Sequence, residues 1–147
     1  WKMKVMHYQE NKMRRITILN RLLNFEHLSY QQLSDEYFVS RSSIANDLSY
    51  VKDIFTKEGL NLTFDRSGTF FEGNEIQIQR VLKRTILNHF NELEVVAELV
   101  DQQLLRRIEQ AFRQGINEKQ MEIPESYFKS IVISILLIVQ RSKEGKK

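Results

Sequence analysis

The chain has 147 residues, enough for one domain or two small ones, and its composition, 41% hydrophobic and 28% charged, is that of a globular protein with a real core. It contains no cysteine, which excludes disulfides and thiolate metal sites and fits a reducing compartment, expected to be the cytoplasm. The net charge is only +3, yet residues 1–21 hold six Lys or Arg against one Glu, a basic arm that suits either a polyanionic partner or a solvated tail.

One proline and five glycines point to a largely helical fold. The chain opens on Trp1 rather than Met and is expected to be a fragment or a processed product; no apolar run followed by small residues marks a signal peptide. Residues 1–9 carry no clear period and predict no element. From Glu10 to Asn24 the spacing predicts a helix, with Ile16, Leu19, Leu22 and Leu23 on its buried side and Arg14, Arg15 and Arg21 largely outside. Phe25 to Leu28 form a connection.

Two helical patterns follow with almost nothing between them. The first runs from about Tyr30 to Phe38, with Ser29 as N-cap and Gln32 at the capping-box position. The second starts after Ser40, a good N-cap, and ends before Gly59, a C-cap residue. The Val39-Ser40 corner is too tight for antiparallel packing and predicts a helix-turn-helix. In the second helix Ile44, Leu48, Val51 and Phe55 form one apolar stripe, while Ser42, Asn46, Ser49 and Asp53 fall opposite. Small polar side chains there suit either water or the base edges of a DNA major groove, and Arg41 at the start suits a phosphate. Asp47, beside the stripe, is assigned to structure.

Leu60 to Phe64 alternates as a half-buried strand does, Asp65-Arg66-Ser67-Gly68 predicts a hairpin turn, and Thr69 to Glu72 returns. Three helices and a hairpin make a winged helix over residues 10–73, with Arg66 at the wing tip as a phosphate or minor-groove contact, or simply a charged turn residue. Asn74 then caps a helix from Glu75 to about Asn91, with Gln77 completing a capping box and Ile78, Val81, Leu82, Thr85, Ile86 and His89 on the packed side. Leu93 to Gln114 predicts a long helix broken once, lined by Val96, Leu99, Val100, Leu104 and Ile108. Gly115 to Pro124 predict a connection and Glu125 to Lys143 the last helix, apolar nearly all round from Ile131 to Val139 and therefore expected to be buried all round. It is too short to cross a bilayer, which takes roughly 20 residues, so no membrane partner is expected. The fold class predicted is mainly α, with a domain boundary near Gly73 that separates residues 10–73 from 74–147.

His7, His27 and His89 stand apart from any nucleophile or acidic partner at a diagnostic spacing, and His, Asp and Glu are not clustered. No enzyme activity, metal or cofactor is expected.

The stretch from Leu28 to Glu75 resembles the winged-helix domains of Mga-like and mannitol-activator-like (BglG-type) regulators of Gram-positive bacteria. The residues that carry the resemblance are Val39-Ser40-Arg41-Ser42-Ser43-Ile44, Asp47-Leu48 and Gly73-Asn74-Glu75, with Arg80 in the following helix. The segment from Tyr127 to Lys147, with Arg141 and Gly145, is similar to a helix of the phosphotransferase-system regulation domain; the histidine phosphorylated in that domain falls here at Ser134, so no phosphotransfer to this chain is expected. The resemblance implies a transcription regulator, an activator of a sugar-uptake or related operon, controlled by phosphotransferase-system proteins in the full-length protein. Its partner is double-stranded DNA, and the DNA-binding residues expected are Arg41, Ser42, Ser43, Asn46, Ser49 and Arg66, with Lys12 and Arg14 on phosphates. The alternatives are an RNA-binding antiterminator of the same broad family, or a helix-turn-helix used only for protein contacts. Because one neighbour covers only part of an all-apolar helix, a homodimer through Glu125–Lys143 is expected.

Overall fold

The computed structural model describes residues 2–145, with side chains from Glu10 onward. Its contacts divide the chain between Gly73 and Asn74.

The N-terminal unit begins with α1 (Lys2–Leu23). This helix starts well before Glu10, over residues whose sequence has no apolar period; Trp1 lies outside the described residues. Ile16, Ile18, Leu19, Leu22 and Leu23 are buried along α1. Then come α2 (Tyr30–Tyr37) and α3 (Arg41–Lys57). The helix α2 buries only Leu33 and is held locally. The Ser29 hydroxyl accepts from the Gln32 N–H at 3.0 Å, and side-chain pairs one turn apart join Gln31 to Asp35 and Gln32 to Glu36. Gln32 thus serves the helix face.

The corner is Phe38-Val39-Ser40. Phe38 sits in the left-handed region at φ 55, and its side chain is 94% exposed. The Ser34 hydroxyl donates to the Val39 carbonyl at 2.6 Å, which pins the turn. Ser40 then caps α3 by accepting from the Ser43 N–H at 3.1 Å. Ile44, Leu48, Val51 and Phe55 turn inward against α1 and α2, as the apolar stripe predicts. Gly59, at φ 72, ends the helix.

The wing is β1 (Leu62–Asp65) and β2 (Gly68–Phe71), antiparallel, with Leu62 opposite Phe71 and Asp65 opposite Gly68. All of β2 is buried, while β1 is half-buried at Leu62 and exposed beyond it. The alternation expected for Leu60–Phe64 therefore fails at Phe64, which is 67% exposed. The reason is that Leu28 bridges the far side of β2: its N–H and C=O exchange bonds with Thr69, each 2.8 Å. β2 becomes the centre of the sheet and β1 an edge. Phe71 packs on Phe55 with ring centroids 5.1 Å apart, joining the wing to the core. Gly68 is required here. It has φ +114, and a Cβ would lie 2.5 Å from the Leu28 carbonyl carbon.

In the C-terminal unit, α4 (Glu75–Asn88) opens with a complete capping box between Asn74 and Gln77. It buries Ile78, Val81, Leu82, Thr85 and Ile86. The long pattern is broken at Val100-Asp101 into α5 (Leu93–Leu99) and α6 (Gln102–Glu118), the second capped by the Asp101 carboxylate. The helix α6 runs through Gly115 rather than ending there; a mid-helix glycine costs only about 1 kcal/mol. The last helix is α7 (Glu125–Lys143), packed on α4 and α6. Its expected burial on all sides does not hold, because Tyr127, Ile131 and Ile138 are exposed. Its Arg141 is 4% exposed and forms a two-bond ion pair with Glu75. Among the described residues no helix is long and apolar enough to cross a membrane, and no group of His, Asp and Glu could hold a metal ion.

Candidate nucleic-acid interface

The geometry of α3 is set from behind by a buried ion cluster. Asp47 is fully buried and accepts from Arg14 at 2.5 and 3.2 Å and from Arg15 at 2.9 Å. A carboxylate in the interior needs such partners, since an unpaired one is strongly disfavoured. Two guanidiniums on one carboxylate also leave a positive surplus, and Arg15 spreads its share over the Tyr50 ring at 5.0 Å. This corrects the expectation that Arg14 and Arg15 lie largely outside. The Arg14 side chain is only 10% exposed and holds α3 from the inside.

A second cluster orients α2. Arg21 joins Glu26, Glu36 and Tyr37, with the Glu36 bond at 2.7 Å. Arg21, and then Gln32, hold the Glu36 carboxyl below the usual carboxylate range.

With its inner face so held, α3 presents Arg41, Ser42, Ala45, Asn46, Ser49 and Lys52 to solvent. From Ser42 to Ser49 this face carries no charge. The helix N-terminus and Arg41 make its leading end positive, whereas the trailing end carries charges of both signs in Lys52, Asp53 and Lys57. Ser43 is half-buried, and its hydroxyl accepts from Ser40 at 3.1 Å, so it belongs to the cap as much as to the face. Lys12 is half-buried on α1.

Arg66 is exposed at the wing tip. Its neighbours are tied together: Asp65 accepts from the Ser67 N–H at 2.8 Å and from the Ser67 hydroxyl at 2.5 Å. These two bonds, with His27 nearby, hold the Asp65 carboxyl below its usual range. The His27 ring bonds Ser67 through Nδ1 at 2.5 Å and lies flat on Phe70, centroids 4.1 Å apart. His27, expected to be isolated, thus braces the wing.

The structure therefore brings Arg41, Ser42, Asn46 and Ser49 onto one face and sets Arg66 on the wing of the same unit. Sequence reasoning passed over Ala45, Lys52, Tyr30, Thr63 and Phe64, which border that face. Ala45 and Lys52 carried a signal, since they share the outward side of the helix; the other three depend on how the hairpin packs.

No curated protein and no solved structure matches the chain. The sequence profile of the Mga helix-turn-helix domain matches residues 2–84, more than half of the chain, from the start of α1 to Arg84 in α4. Three helices and a wing in this order, with that match across them, mean that the chain belongs to the Mga helix-turn-helix domain family of DNA-binding regulators.

Proposed function

We propose that the N-terminal unit binds operator DNA by placing the leading half of α3 in the major groove. The observation that carries this reading is the exposed, uncharged face of Ser42, Asn46 and Ser49, backed by a fully buried stripe and led by Arg41. Ser and Asn side chains can bond base edges, and an arginine beside a helix N-terminus suits a phosphate. Arg66 contacts the backbone or minor groove from the wing, and Lys12 adds a backbone contact from α1.

In the full-length protein, this unit serves an activator of a sugar-uptake or related operon, acting in the cytoplasm under control of phosphotransferase-system proteins. That part of the reading rests on the resemblance of the Tyr127–Lys147 segment and of the winged helix. Ser134, where the phosphorylated histidine would fall, has no such chemistry, so control reaches this chain from elsewhere in the protein.

The test is substitution on the outer face. Asn46→Ala should lose about 1–3 kcal/mol of discrimination between operator and non-operator duplex if it makes a good base contact. Arg66→Ala should weaken all sequences alike and flatten the salt dependence. Normal operator binding by both Asn46→Ala and Arg41→Ala would rule the docking out.

A further inference from the structure

Between α3 and the stem of the wing lies an open groove of about 290 Å³. Tyr30 from the first turn of α2, Ser49 and Lys52 from α3, and Thr63 and Phe64 from β1 line it. The chemistry of this lining is one-sided. Among the described residues that line it, Lys52 is the only charged one, no carboxylate contributes, and four hydroxyl residues, Tyr30, Ser49, Thr63 and Thr69, accompany the ammonium. The acids of the same elements, Asp35, Glu36, Asp53 and Asp65, all exposed, and the buried Asp47, are not among the lining residues. Phe64, on the edge strand, lines the groove and is 67% exposed overall.

A groove offering one cation, several neutral donors and an aromatic flank complements a phosphodiester and its sugar. Ser49 belongs both to this groove and to the uncharged face of α3. From Asn46 to Lys52 the helix advances by six residues, about 9 Å at 1.5 Å each. The major groove is about 12 Å wide, so a helix with Asn46 at the bases brings Lys52 near the phosphates at the rim.

We propose that this groove seats the backbone of the DNA strand that rims the major groove. Lys52 pairs with a phosphate, the hydroxyls of Tyr30, Ser49 and Thr63 donate to its oxygens, and Phe64 lies against deoxyribose. The proposal rests on α3 entering the major groove.

The test measures binding of the chain to a short random-sequence duplex by fluorescence anisotropy over a salt series. Backbone contacts do not need the operator. Lys52→Gln should weaken binding and reduce the slope of log K against log salt by about 0.9, the share of one phosphate contact. Phe64→Ala should weaken binding and leave the slope unchanged. Lys57→Gln, an exposed lysine on the last turn of α3 outside the groove, should change neither. Lys52 and Phe64 are both exposed, so the variants should fold, and circular dichroism checks this. If the wild type binds while Lys52→Gln and Phe64→Ala match it at every salt concentration, the groove is not the seat and the docking of α3 stands. A slope lowered equally by Lys57→Gln also overturns the seat. A wild type that binds no duplex at low salt overturns both the seat and the proposed function.

Discussion

Asp47 is the residue on which the position of α3 turns. It is fully buried between two arginines of α1, in the helix whose opposite face is proposed to meet DNA. Removing one side of such a cluster leaves buried charge uncompensated, so Asp47→Ala should cost about 3–5 kcal/mol in chemical denaturation. The two-arginine arrangement was not legible in the sequence, because it joins residues 32 and 33 positions apart through the fold. That Asp47 is structural could be read from its place beside the apolar stripe. Phe38 is the contrasting residue. It holds a left-handed backbone, disfavoured for most side chains by roughly 1–2 kcal/mol, and its ring has almost no packing to lose. Phe38→Asn should therefore raise the melting temperature; a fall would show that the ring has a contact of its own.

Among the elements, the wing responds both to pH and to substitution. The Ser67 bonds hold Asp65 below its ordinary pKa. Their contribution to wing order is present in full above that ordinary value and is lost as pH falls through the depressed one. An NMR titration of the Asp65 carboxyl should show the low midpoint in the wild type and a shift back toward the usual carboxylate range in Ser67→Ala. Gly68→Ala should be worse for the fold, destabilising by more than about 1 kcal/mol, because both the positive φ and the close Leu28 backbone oppose a side chain. Most elements could be read from period and caps: Ser29, Ser40 and Asn74 all accept the cap bond expected of them. What could not be read was the third strand partner. Leu28 gives no local sign that it will pair with Thr69, yet that bridge decides which strand is central and leaves Phe64 outside. The groove beside α3 escaped for the same reason, since its β1 wall exists only once the hairpin has packed. The start of α1 was missed because its first residues lack the apolar spacing on which the reading depended.

At the scale of the molecule, the chain carries two units that join at Gly73–Asn74, and the family match crosses that point into α4. The C-terminal unit leaves Tyr127, Ile131 and Ile138 exposed on α7, and exposed apolar surface costs roughly 25 cal/mol per Å². Self-association through Glu125–Lys143 follows as a proposal. Sedimentation at micromolar concentration should give a dimer, and Ile138→Glu should return it to monomer with the winged helix still folded; a wild-type monomer would count against it. Two recognition helices on one duplex would then raise affinity for paired half-sites. Whether this chain reads double-stranded DNA is decided by a mobility-shift titration. It compares duplexes from upstream of its own gene and its neighbours with scrambled duplexes of equal length, over a series of salt concentrations. One upstream duplex should stay bound at salt concentrations that release the scrambled ones, because base contacts add to the salt-sensitive backbone contribution. Equal release of every duplex at every salt concentration would contradict the proposed reading of operator DNA.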